Sequence, residues 1–253
     1  MKTMDLNCDM GESFGNYTIG MDEAVMPHIT SANIACGWHA GDPVVMDRVI
    51  RLAKENGVAA GAHPGYPDLM GFGRRKMTLS PSEIKQYLIY QIGALKAFCQ
   101  VNNVHLNHVK PHGALYLDAV ENPETARATA EAITALDPDL YFVALAGKKG
   151  ETMRRMGEEL GLKVIFEAFP DRAYTPEGTL VPRQAPGAVI LDPDKVAQRA
   201  IDMANGFIIA NDGSRIDLEV QTLCVHGDNP ESLALVKKIR HLLEENQIKV
   251  ASI

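Results

Sequence analysis

The sequence predicts an α/β protein whose parallel strands close into a barrel, and three observations carry that expectation. Short apolar runs alternate with amphipathic stretches along all 253 residues. Several runs are apolar almost throughout, the pattern of strands covered on both faces. Most of them also stop at polar, chemistry-bearing residues: His63 after Val-Ala-Ala-Gly-Ala, His112 after His-Val-Lys-Pro and His226 after Thr-Leu-Cys-Val, with carboxylates after two others. Side chains at the same end of parallel strands converge, so these residues predict a polar crater at the C-terminal face of a sheet or barrel. Polar ends at the first, second, third, fourth, sixth and seventh runs favour closure, because an open sheet would gather them near one switch point.

The strands are expected at 5–8, 29–36, 58–62, 106–109, 140–145, 162–166 and 218–225. Five helix starts are legible as an N-cap residue followed by proline: Asp42-Pro43, Ser80-Pro81, Asn122-Pro123, Asp192-Pro193 and Asn229-Pro230. Ser80 has Glu83 three residues on, which predicts a capping box. Amphipathic stretches follow, and Gly57, Gly161 and Gly206 mark helix ends. A further helix is expected over 148–160. Between Phe207 and Leu218, Asn211-Asp212-Gly213 predicts a hairpin or turn. No linker-like stretch divides the chain, so one domain over 1–253 is expected.

Composition narrows the function. A formal charge of −7 speaks against nucleic acid, whose phosphates need a basic surface. No run of eighteen apolar residues and no signal-like N-terminus is present, so neither a membrane span nor secretion is expected and a cytoplasmic location follows. Cys8, Cys36, Cys99 and Cys224 are widely spaced, which suggests reduced thiols rather than a disulfide framework or zinc knuckle.

Asn7-Cys8-Asp9-Met10-Gly11-Glu12 places two carboxylates past the first strand, where a buried Asp9 can act as base or metal ligand; the alternative is a turn-forming aspartate. His39, with Asp42 capping the next helix, lies among small residues that let a ligand approach, and that helix N-terminus suits an anion. The Gly- and Pro-rich loop 61–75 carries Arg74 and Arg75, able to hold a carboxylate or phosphate. Lys110 and His112, two residues apart, suit acid–base work or oxyanion stabilisation. Asp171, Arg172, Arg183, His226 and Asp228 complete the candidates. No Walker A loop, dinucleotide fingerprint, nucleophile elbow or His-Glu-x-x-His helix is present.

These segments carry a resemblance. Leu6-Asn-Cys-Asp-Met-Gly-Glu-Ser-Phe-Gly15, Thr30-Ser-Ala-Asn-Ile-Ala-Cys-Gly-Trp-His-Ala-Gly-Asp-Pro43, Gly61-Ala-His-Pro-Gly65, Gly71-Phe-Gly-Arg-Arg75 and His108-Val-Lys-Pro-His-Gly-Ala-Leu-Tyr116 resemble the LamB/YcsF family, the A subunit of ATP-dependent 5-oxoprolinase. The likeness continues through Asp171-Arg-Ala-Tyr174, Arg183 and Val225-His-Gly-Asp228. It implies a seven-stranded TIM-like barrel of the glycoside hydrolase/deacetylase kind. It also implies cleavage of 5-oxo-L-proline to L-glutamate with ATP as co-substrate, alongside B and C subunits. On that reading Asp9 is the base, with His63, Lys110 and His112 polarising and positioning the lactam. Asn7, Glu12, His39, Arg74, Asp171, Arg172, Arg183, His226 and Asp228 are the substrate-binding candidates, and Lys110 and Arg172 are expected to meet phosphate and carboxylate.

Two other readings fit the same residues. Asp9, His39, His63, His112 and His226 can supply a divalent-metal site for an amide or ester hydrolase, the metal itself being undetermined. Alternatively the chain only binds the lactam or holds its partners. A homo-oligomer is left open, as is the subunit that holds ATP.

Overall fold

A computed structural model describes residues 2–226 and 230–253 of the chain. In chain order the elements are β1 (Thr3–Met10), α1 (Asp22–Val25), β2 (Ser31–Ala35), α2 (Pro43–Asn56), β3 (Ala59–His63), α3 (Pro81–Val101), β4 (Leu106–Val109), α4 (Gly113–Glu121), α5 (Pro123–Leu136), β5 (Tyr141–Leu145), α6 (Glu151–Glu159), β6 (Lys163–Ala168), α7 (Pro193–Ala204), β7 (Phe207–Ile209), β8 (Arg215–Asp217), β9 (Thr222–Val225), α8 (Pro230–Glu245) and β10 (Lys249–Val250). Strands β1 to β6 pair in sequence, β9 pairs with β6, and β9 returns to β1. Every one of these pairings is parallel. Seven strands thus close into a barrel, and all their C-terminal ends open at one mouth.

The expected helix starts are built as their residues require. Asp42 accepts from the backbone N–H groups of Val44 and Val45, Asn122 from Glu124, and Asp192 from Asp194 and Lys195. Ser80 and Glu83 form the reciprocal capping box. Asn229 lies outside the described residues. Gly57 ends α2 in the left-handed region at φ 66°. The 207–218 segment is an antiparallel hairpin, β7–β8, and the seventh barrel strand is confined to β9 because Leu218–Gln221 turns back into the barrel. Helix α4 follows His112 directly and is not among the expected helices, since Gly113 hides its start. Nor is β10 among the expected strands; its two residues pair with the beginning of β1.

The two-residue period of β1 decides what lies inside. Leu6, Cys8 and Met10 are fully buried on the helix-facing side. Asp5, Asn7 and Asp9 face the lumen, where Asn7 meets Thr222 of the neighbouring β9 and Asp9 meets Asn33 of the neighbouring β2. The outer layer is the apolar core, with Ile34, Val49, Ile50, Leu88, Ile92, Leu95, Phe142 and Leu223 essentially inaccessible. The lumen is lined instead by a continuous polar network.

Candidate active site

That network rises from a sealed floor. The Asp5 carboxylate accepts from Thr30, Ser31 and Thr222 hydroxyls. Above it the Asn7 amide donates to Thr222 Oγ1 at 2.7 Å, and Asn33 Nδ2 donates to Asn7 Oδ1 at 2.7 Å and to Asp9 Oδ1 at 2.9 Å. His108 Nε2 donates to Asn33 Oδ1 at 2.8 Å, reaching across β3 at Gly61. There a Cβ would stand 2.0 Å from the imidazole nitrogen, so only glycine admits the ring. Burial, assisted by the Lys110 charge, pushes His108 down to about 3 and keeps the ring neutral.

Lys110 sits at the centre. Its Nζ meets Glu167 Oε1 at 2.7 Å, Asp9 Oδ1 at 3.0 Å, Asn7 Oδ1 at 3.2 Å and Cys224 Sγ at 3.3 Å. Burial opposes its charge, yet Asp9, Cys224 and Glu167 hold its pKa well above the ordinary value. Burial opposes the Asp9 charge too, but His63 and Lys110 hold that carboxyl well below the usual range. Asp9 is therefore ionised, with Oδ1 tied to Lys110 and Asn33 and Oδ2 facing His63 Nε2 at 3.4 Å.

Three imidazoles form the opposite wall. His63 ends β3, His112 caps α4, and His39 follows β2. The rings of His39 and His112 lie parallel with centroids 3.7 Å apart, and His63 stands perpendicular to both. Gly73, at φ +62°, passes so close that a Cβ there would lie 2.7 Å from His39 Cβ and 2.8 Å from His112 Cδ2. Phe72 packs edge-on against His39 and His112, with the Arg74 guanidinium over its face. Burial first, and then the Asp9 charge, raise Glu12 to about 7. Burial pushes His39 and His112 well below their ordinary value.

On the Cys224 side of the cluster, past the ends of β6 and β9, Asp171, Arg183 and His226 line a cavity of about 380 Å³ that Val196, Leu235, Val236 and Ile239 also line. Cys224 belongs to both this cavity and the Lys110 cluster, so the two adjoin. His226 Nδ1 stands 3.0 Å from Asp171 Oδ2.

The structure thus brings Asn7, Asp9, Glu12, His39, His63, Lys110 and His112 into one cluster and places Arg74, Asp171, Arg183 and His226 around its rim. Three expected roles change. Lys110 is expected from the sequence to meet phosphate, but it is 3% exposed and its ammonium is committed to four protein acceptors. Arg172 is expected to meet an anion, but its guanidinium donates to the carbonyls of Ala188 and Val181 and braces its own loop. The α2 N-terminus is likewise occupied by Asp42 rather than offered to a ligand. Asp228 lies outside the described residues. Asn33, His108 and Glu167 join the site without a place among the sequence candidates; a lone carboxylate inside the apolar run Val-Ile-Phe-Glu-Ala is the available sign of Glu167, which is fully buried.

A closed parallel (β/α) barrel with a buried polar site at the C-terminal mouth defines the class of protein. The chain belongs to the LamB/YcsF family, whose pattern matches residues 4–253. It is 56% identical to the 5-oxoprolinase A subunit of Pyrococcus abyssi, over 98% of this chain and 96% of that one. Its structure is similar to the crystal structure of the lactam utilization protein from Thermus thermophilus, with a TM-score of 0.94 and 46% identity over 100% of both chains. The fold alone is shared with the catalytic domain of the Eubacterium rectale peptidoglycan N-acetylglucosamine deacetylase, at TM-score 0.52 and 11% identity over 100% of this chain and 88% of that one.

Proposed function

We propose that this chain is the A subunit of a 5-oxoprolinase and opens the lactam ring of 5-oxo-L-proline to give L-glutamate, in a reaction coupled to ATP hydrolysis and shared with B and C subunits. The observation that carries the reading is the Asp9 carboxylate. It is fixed in place and ionised by Lys110 at the mouth of the barrel, beside a cavity of about 380 Å³, ample for a five-membered lactam. The names of the relatives support the same substrate.

The lactam is an unactivated amide, so water does not attack its ring carbon at a useful rate. Transfer of the ATP γ-phosphoryl group to the lactam oxygen releases ADP and activates the ring carbon; water adds there, the C–N bond breaks as the nitrogen takes a proton, and a second water hydrolyses the acyl phosphate so formed to glutamate and phosphate. Asp9 then has two tasks. It accepts a hydrogen bond from the attacking water, fixing the direction of approach, and it is the base toward which the water proton moves. Lys110 acts as a positioning residue, since its contacts end on protein groups. The imidazole wall of His39, His63 and His112 bounds the site opposite Lys110 and positions the reacting oxygen. Arg183 and His226, across the adjoining cavity, supply the charge that receives the substrate carboxylate. Arg74, whose guanidinium lies over the Phe72 ring at the rim, is the cation assigned to the phosphate in this reading.

The test is Asp9→Asn in a mixture of this chain with its B and C partners, 5-oxoproline and ATP. Asn keeps the shape and the acceptor oxygen but not the charge. Glutamate release is expected to fall by about 10²-fold or more, on the scale of removing a general base, while circular dichroism is unchanged. Glutamate release within twofold of the wild type would remove Asp9 from the chemistry.

A further inference from the structure

The three histidines make a contact that neutral imidazoles do not make alone. His63 Nδ1 lies 2.7 Å from the Lys110 carbonyl, and His112 Nε2 lies 2.8 Å from the Phe72 carbonyl. Carbonyl oxygens only accept, so each of those nitrogens carries its ring's proton. With both rings neutral, the remaining nitrogens, His63 Nε2 and His112 Nδ1, would face each other lone pair to lone pair at 3.0 Å. Something positive, a shared proton or a cation, must lie between or beside them.

His39 adds a second, independent sign. It is 0% exposed, and neither ring nitrogen has a hydrogen-bond partner among the described residues. An imidazole sealed from water with both nitrogens unpaired is costly. Its Nε2 is directed toward Glu12 Oε1 at 3.7 Å, too long for a hydrogen bond and suited to two donors sharing a third atom.

We propose that Glu12, His39, His63 and His112 form a binding site for a divalent transition-metal cation. One donor atom from each lies within 4.8 Å of all the others. Two nitrogens bound to one zinc ion at about 2.0–2.1 Å stand roughly 2.9 Å apart at a right angle and about 3.3 Å apart at the tetrahedral angle. The His63–His112 spacing of 3.0 Å falls between them. Three imidazoles and one carboxylate select a cation of borderline softness, zinc or cobalt(II), over magnesium or calcium, which take oxygen ligands. The outer nitrogens of His63 and His112 are already tied to carbonyls, the support that fixes a ligating ring's tautomer and direction. Asp9, 3.4 Å from His63 Nε2, lends negative charge to the same place. When bound, the cation would act as a Lewis acid on an oxygen at the mouth. The site deepens the function proposed above, yet its binding is measurable without substrate or partners, so either reading can fail alone.

The test is zinc binding to chelator-treated full-length chain, followed by competition with a chromophoric chelator. One equivalent is expected to bind, and affinity is expected to fall at least about tenfold in His39→Gln, the scale at which even supporting residues change metal affinity. Glu12→Gln, at the partly exposed edge of the site, gives the same readout if the His39 variant does not fold. Cobalt(II) is expected to give visible absorption bands in the wild type that zinc abolishes. Zinc bound no more tightly by wild type than by both variants would overturn the site. So would ring-nitrogen NMR showing one proton shared between His63 and His112 that added zinc leaves in place.

Discussion

Removing the ammonium at the centre of the barrel tests the electrostatic account most severely. In Lys110→Met the aliphatic stem is retained and the charge is lost. Glu167 is 0% exposed and among the described residues then keeps only the Tyr116 hydroxyl, at 3.2 Å, while Asp9 Oδ1 loses its 3.0 Å contact and keeps Asn33. Breaking a buried pair by deleting one partner costs about 3–5 kcal/mol, because the other charge is left without compensation. For a chain of this size each 1 kcal/mol lowers Tm by roughly 2–4 °C, so a fall on the order of 10 °C is expected. The double variant Lys110→Met/Glu167→Gln, which removes both charges, should recover more than half of the loss. Urea unfolding followed by circular dichroism measures both variants. A single variant within about 1 kcal/mol of wild type, a value ordinary for exposed pairs, would refute the claim that Lys110 and Glu167 are a desolvated pair. A double variant no better than the single would assign the loss to packing instead.

Further outcomes follow from the same geometry. Gly61→Ala places a methyl group against the His108 ring and should cost about 1–3 kcal/mol as overpacking; an unchanged thermal midpoint would show that the ring has room to move. Ser80→Ala removes an exposed capping box and should cost about 0.5–2 kcal/mol in urea unfolding while leaving glutamate formation intact. The Asp171–His226 pair should make stability depend on pH. Burial opposes the charge on His226, but Asp171 raises its pKa above the ordinary value; burial likewise opposes the charge on Asp171, and His226 lowers its pKa. The histidine contribution is full below about pH 6.5 and is lost as pH rises through the raised folded value. The aspartate contribution is present above about pH 4 and is lost as pH falls through the lowered one. His226→Gln should therefore destabilise at pH 6 and have little effect at pH 9, and an equal loss at both would contradict the pairing.

The barrel was legible because each layer of the sequence repeats one instruction. Asp or Asn followed by Pro starts α2, α5 and α7, although Asp137-Pro138 makes a turn after α5 instead, and continuous apolar runs mark strands covered on both faces. Convergence of Asp9, His63, His112 and His226 followed from parallel strands sharing a direction. Partnership was not legible. Lys110 and Arg172 looked equally able to meet an anion, but whether a cation is spent on the protein depends on what crosses the barrel from strands far away in sequence, Glu167 and Cys224 for Lys110. Asp5, Asn33 and His108 were missed for a related reason. They lie within strands rather than at their ends, and only closure reveals a polar lumen. Alternation in Met4-Asp-Leu-Asn-Cys-Asp-Met10 was the readable trace of it. The stacking of His39 on His112 depends on loop 61–75 folding over both rings at Gly73.

Glutamate formation from 5-oxoproline and ATP, measured with the B and C partners in the presence and absence of this chain, tests the proposed function most directly. Glutamate and phosphate should appear together only when the chain is present. Equal glutamate without it, or none in the complete mixture, would contradict the proposal.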